Sequence, residues 1–301
     1  MFLEQVRQFK NPFWMYLLGS LIVILFNVVG QIPLSVVIMQ NTTAITTTTD
    51  PMELIRALNK NVQLFLLLLP FAIAFLGFWL VVIKLHDRSL TSVITARTQL
   101  DWKRIFFSFF IWGGVTVSVV LIDVAFSPQD YQWNFNPSAF FLLLTIGVLL
   151  IPIQTSLEEL LFRGYLLQGF ATLTKNRWMP LLLTAVLFGS LHLFNPEVAK
   201  LGYGLLVYYI GTGLFLGIIT LMDDGIELAL GFHAANNLIM ALLVTSTWTA
   251  FQTDSLWIDV AEPKLTTEML LTCLVLYPLF LLLLSKKYGW KNWIHNLTKS
   301  I

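Results

Sequence analysis

Eight runs of apolar residues, separated by polar stretches, divide the chain. They fall at 13–37, 63–84, 105–126, 138–162, 179–195, 201–222, 226–248 and 267–285. A hydrocarbon core about 30 Å thick takes about 20 residues of helix. Runs of this length, without the alternation of a half-buried strand, predict an all-α, polytopic transmembrane bundle of about eight spans. The polar stretches 40–61, 85–104, 127–137 and 249–266 are expected to be loops, the first of them carrying a Thr-rich run at 41–49. The pattern divides into unspecific N-terminal helices (1–126), a polar-bearing core (138–248) and a loop, last span and tail (249–301), all within one integral membrane unit.

The first run follows Arg7 and Lys10, is too long for a signal-peptide core and lacks a small-residue cleavage site, so it is predicted to be a retained span. Placing the N-terminus in the cytoplasm returns the C-terminus there after eight spans. The cytoplasmic segments then hold 14 of the 18 Lys and Arg residues, Arg163 and Arg177 among them, leaving Arg56, Lys60, Lys200 and Lys264 on the other side. This bias predicts N-in, C-in. Trp290 and Trp293 beside Lys286 and Lys287 are expected to anchor the tail at the interface.

Composition reinforces the pattern. The chain is 57% hydrophobic and 12% charged, with a mean hydropathy of +0.77, against about 25% charged residues in a soluble domain. No basic face points to nucleic acid. One cysteine, Cys273, excludes an intrachain disulfide and a Cys-based metal cluster. No internal repeat supports an inverted-repeat transporter.

Against this apolar background a few polar residues stand out: Glu158, Glu159 and Arg163, then His192, then His233 and Asn237. An ionisable group at membrane depth costs roughly 2.5–3.5 kcal/mol on insertion scales. Glu159 and Arg163, four apart on a helix, share a face and predict an ion pair. Glu158 is turned about 100° away, which leaves it free as a candidate general base. A rim salt bridge at a helix end is the structural alternative. Phe188, one turn before His192, would shield the imidazole. His233 and Asn237 share a face, and the amide can orient a histidine or bind an oxyanion; interhelical polar glue is the bland reading of either segment alone. Together, one carboxylate, two imidazoles and an amide suffice to activate water and hold a tetrahedral intermediate. Glu158, His192 and His233 also form an acceptable zinc set. Asp223 and Asp224, before Gly225, are read as a solvated cap. The depths of Glu158 and His192 agree better if the fourth helix continues to about Leu173.

The three segments, in this order, resemble the CPBP family, which comprises type II CAAX prenyl proteases and bacteriocin-processing (Abi) enzymes. Its pattern EExxxR, FxxxH and HxxxN is met by Glu158-Glu159 with Arg163, Phe188 with His192, and His233 with Asn237. The resemblance covers about 80 residues. It implies an eight-helix intramembrane endopeptidase in which Glu158 and His192 activate water and His233 and Asn237 stabilise the oxyanion. Glu159 and Arg163 become the supporting pair. Zinc-dependent and metal-free glutamate mechanisms both stay open. The implied partners are the bilayer and a membrane protein or lipidated peptide; the implied location is a bacterial plasma membrane. A non-catalytic scaffold or bacteriocin-immunity protein is the second reading, and a proton-coupled transporter the third.

Overall fold

A computed structural model describes residues 1–9, 11–45, 51–264 and 267–301. Lys10 and part of the predicted Thr-rich loop lie outside the described residues. Six helices are long and apolar enough to cross a membrane: α1 (Phe13–Gln40), α2 (Lys60–Leu85), α3 (Trp102–Phe126), α4 (Pro137–Thr174), α6 (Leu205–Asp223) and α8 (Met269–Tyr288). Two shorter apolar helices are α5 (Trp178–Phe194) and α7 (Glu227–Leu243). The chain is an all-α integral membrane protein. Several starts are set by local chemistry. The Asn59 side chain accepts the N–H groups of Asn61 and Val62 ahead of α2, and Asp101 does the same for Lys103 and Arg104 ahead of α3. At α4, Asn136 caps Ala139, with Pro137 at the first helical position.

Helix α4 has 38 residues, about 57 Å at 1.5 Å per residue, nearly twice the apolar thickness of a bilayer. It runs on through Arg163, as the continuation to about Leu173 requires, and Pro152 does not break it. Between Leu160 and Leu166 it widens into a π-helical segment. α7 lies at the centre, buried from Glu227 to Ala235 and packed against α3 and α4. A Cβ on Gly231 would meet the Ile105 carbonyl, 2.9 Å from its carbon, and the Phe109 amide nitrogen at 3.0 Å, so glycine lets α3 and α7 touch at backbone distance. Trp112, Phe215, Phe232, Tyr277 and Phe280 pack an aromatic core beside α7.

Several expectations are corrected. The stretches 127–137 and 249–266 are not plain loops. They contribute β1 (Tyr131–Trp133) and β3 (Trp257–Asp259), which with β2 (Val244–Ser246) after α7 form a three-stranded sheet of order β1-β3-β2. The stretch 40–61 contains helix up to Ile45 and again over Pro51–Arg56. The loop 85–104 folds inward, burying His86, Arg88 and Thr95. Asp223 is no solvated cap: it is buried and paired with Arg97 at 3.0 Å and Arg104 at 2.8 Å. Trp290 is likewise buried, its indole N–H donating to Asp223, rather than presented outward as an anchor. Arg163 and Arg177 are both buried.

Candidate active site

The polar residues of α4, α5 and α7 converge around the ring of Phe188. Glu159 and Arg163 are paired at 2.7 Å with neither side chain exposed, as their spacing predicts. Arg163 sits over the Phe188 ring at 4.2 Å. The same phenyl ring lies 5.0 Å from His192 and 6.1 Å from His233, centroid to centroid, so it neighbours both histidines.

Each imidazole is held through one nitrogen. His192 lies in the 3₁₀ turn Leu191–Phe194 that ends α5. Its Nδ1–H donates to the Phe188 carbonyl at 2.9 Å, which leaves Nε2 as the free nitrogen. Its ring stacks on Tyr209 of α6 at 4.1 Å. That approach requires Gly189, where a Cβ would stand 3.0 Å from the backbone nitrogen of Ile210. His233 Nδ1–H donates to Glu159 Oε1 at 2.7 Å, and its Nε2 lies 3.6 Å from Glu158 Oε2.

The two adjacent glutamates therefore occupy different environments. Glu159 is sealed between Arg163 and His233. Glu158 keeps 19% of its side chain exposed. Its Oε1 accepts a short hydrogen bond from Gln154 Nε2 at 2.6 Å. Asn237 joins the group through Gln154, donating to its Oε1 at 3.5 Å, and its own Oδ1 accepts from Asn236. Glu158, Glu159, Arg163, Phe188, His233 and Asn237 are thus brought together. His192 reaches the group through Phe188, not by a hydrogen bond to Glu158.

Among the described residues no group of three His, Cys, Asp or Glu side chains is placed to hold one metal ion. His192 and His233 each keep an Nε2 that a metal could take, but the three side chains are not gathered around one point. The zinc set Glu158–His192–His233 does not fit this arrangement, and no step below runs through a metal.

Residues 136–239 match the family described as Type II CAAX prenyl endopeptidase Rce1-like. The protein YyaK of Bacillus subtilis (strain 168), described as uncharacterized, is 34% identical over 237 residues, 78% of this chain and 79% of YyaK. The chain belongs to the Rce1-like family of type II CAAX prenyl endopeptidases. No solved structure matches it.

The Rce1-like segment contains every site residue from Gln154 to Asn237. The sequence patterns do not single out Gln154, Tyr209, Trp112 or Asn236. Gln154 was within reach: it stands four residues before Glu158, the spacing that found the Glu159–Arg163 pair. Tyr209 and Trp112 carried no local signal, since each meets its partner through tertiary packing.

Proposed function

We propose that this protein is an intramembrane endopeptidase that hydrolyses a peptide bond of a membrane-associated or lipidated protein, with Glu158 as the general base. One observation carries the reading: of two adjacent carboxylates inside the bundle, the one that keeps some exposure faces an imidazole Nε2, while the other is consumed in holding that imidazole.

The chemistry follows from these positions. A water beside Glu158 attacks the scissile carbonyl carbon, and its proton passes to the Glu158 carboxylate. His192, with its Nε2 free, is the second group that orients this water. The negative charge that develops on the carbonyl oxygen is met by the amide N–H of Asn237 and, with a proton on each ring nitrogen of His233, by the Nε2–H of that imidazole, donors that act most strongly where water is sparse. Collapse of the intermediate breaks the carbon–nitrogen bond as Glu158 returns its proton to the leaving amine. Arg163 holds Glu159, and Glu159 holds His233 in orientation.

The family description points to substrates with a prenylated cysteine in a C-terminal CAAX sequence, and the Bacillus relative to a bacterial plasma membrane as the location. The charge bias supports an N-in, C-in orientation. The test uses detergent-purified protein and a quenched fluorogenic peptide ending in a farnesylated Cys-aliphatic-aliphatic-X sequence, with cleavage of membrane-protein fragments as a second assay. Glu158→Ala should abolish cleavage in a protein that still inserts and melts cooperatively. Full cleavage, or full biological function, retained by both Glu158→Ala and Glu159→Ala would overturn the reading in favour of a non-catalytic scaffold.

A further inference from the structure

A glutamine, an asparagine and a tryptophan that the proposed chemistry does not use connect to it through a continuous chain of hydrogen bonds. The indole Nε1–H of Trp112 on α3 donates to Asn236 Oδ1 at 3.1 Å. Asn236 Nδ2 donates to Asn237 Oδ1 at 3.2 Å, Asn237 Nδ2 donates to Gln154 Oε1 at 3.5 Å, and Gln154 Nε2 donates to Glu158 Oε1 at 2.6 Å. The chain crosses three helices, α3, α7 and α4. Its ends fix its direction. An indole N–H can only donate and an ionised carboxylate can only accept, so each of the three amides between them has one orientation that satisfies both neighbours.

We infer that Gln154, Asn236 and Trp112 form a one-way positioning relay that sets which atoms of Glu158 and Asn237 are offered to the substrate. This inference rests on the function proposed above. The relay has two effects. At its carboxylate end, Gln154 occupies Oε1 of Glu158 and leaves Oε2, the oxygen facing His233 Nε2, as the one that takes the proton from water. At its middle, the Asn237 carbonyl is occupied by Asn236, so the group Asn237 has left to present is an N–H. A donor is what a developing oxyanion needs; an asparagine turned the other way would present an oxygen to it. Trp112 and Gln154 are both buried. A buried amide is costly unless hydrogen-bonded, so the chain is completed rather than dispersed into solvent. Hydrogen bonds in series also polarise one another in a medium of low dielectric, which gives Trp112 an influence on a carboxylate it does not touch.

The test has a spectroscopic arm that needs no substrate. The carboxylate band of Glu158 is identified in the infrared difference spectrum of the purified protein by its loss in Glu158→Gln. Gln154→Met, which keeps the volume and removes the donor, should shift that band. Trp112→Phe, which keeps the aromatic packing and removes one distant N–H, should shift it in the same direction by less. In the cleavage assay on the farnesylated peptide, Gln154→Met should lower kcat by about 10- to 100-fold, the effect of losing a hydrogen bond to a charged group, with KM nearly unchanged. Trp112→Phe should then have no further effect in the Gln154→Met background. An unmoved Glu158 band in folded Gln154→Met, or strictly additive effects of the two changes on kcat, would overturn the relay. Should Gln154→Met not fold, Trp112→Phe decides alone: a shifted Glu158 band supports the relay and an unshifted one overturns it. Cleavage surviving Glu158→Gln would instead remove the general-base reading, while the band shifts would still report the relay, so the two failures are distinguishable.

Discussion

Glu159 accepts the Nδ1–H of His233 across 74 residues of chain, through the same oxygen that accepts the Arg163 guanidinium; both contacts are 2.7 Å. The glutamate nearest the arginine is thus also the one that orients the histidine. Glu159→Ala strands a fully buried guanidinium and should destabilise the protein by about 3–5 kcal/mol, seen as a lower melting temperature in detergent. Pairing it with Arg163→Met should recover much of that stability, because the unpaired charge is gone. Cleavage should stay low in the double variant, since His233 has lost its anchor. Recovery of both stability and cleavage would show that Glu159 serves Arg163 alone.

Glu158 should behave in the opposite way. It is partly open and makes no short ion pair, so Glu158→Gln should leave the melting temperature within a few degrees of the parent. Its effect should fall on kcat, by roughly 10²- to 10⁴-fold if it is the general base. His192→Ala should also lower kcat without unfolding the bundle. A collapse of the melting temperature in Glu158→Gln would contradict the assigned division of labour between the two carboxylates.

His86 predicts a pH response unrelated to the site. Burial, with the Arg88 guanidinium adding to it, pushes the imidazole down to about 4 from its ordinary 6.5. Its Nε2 bonds to the Tyr165 hydroxyl at 2.6 Å. An unfolded chain would take up a proton below about 6.5 that the folded one refuses until about 4. Stability is therefore complete above pH 6.5 and falls as the pH drops from 6.5 towards 4, by about 3 kcal/mol for this group. Melting temperatures measured across that window should decline in the parent and decline less in His86→Gln. Equal slopes would place the acid sensitivity elsewhere.

Gly231→Ala tests the packing that brings α3 against α7. The added methyl would collide with the Ile105 carbonyl and the Phe109 amide, both backbone, so no side chain can rotate away. Overpacking of this kind costs about 1–3 kcal/mol, read as a lower melting temperature. The displacement should also weaken the hydrogen bond from Trp112 on α3 to Asn236 on α7. A variant as stable as the parent would mean that the two helices slide apart freely.

Much of the fold and part of the site were legible in the sequence, for physical reasons. Apolar runs mark helices wherever lipid is the solvent, and the four-residue spacing placed Arg163 on Glu159 because that contact is local. What escaped was non-local. The sequence around Asp223 reads as a polar turn, since nothing nearby shows that Arg97 and Arg104 come from more than a hundred residues away to neutralise it. His233 was matched to Asn237 by spacing, yet its hydrogen bond goes to Glu159 on another helix. The strands β1, β2 and β3 are three residues each, too short to leave an alternating pattern. Trp290 carries the sequence mark of an interfacial tryptophan and instead turns inward to Asp223.

The π-helical segment between Leu160 and Leu166 has a consequence for how α4 tolerates change. A wide turn holds one more residue than an ordinary one, so it takes up that residue without rotating the halves of the helix against each other. Above it stand Gln154, Glu158 and Glu159; below it Gln168 bonds Arg88 at 2.7 Å. Deleting a single residue such as Leu161 would close the wide turn to a regular one and leave the two halves facing as before, so the carboxylates would keep His233 and Gln168 would keep Arg88. Deleting a residue from a regular part of α4 would instead swing one half about 100° against the other. The wide turn is where this helix can lose a residue without a rotation that the whole bundle must accommodate.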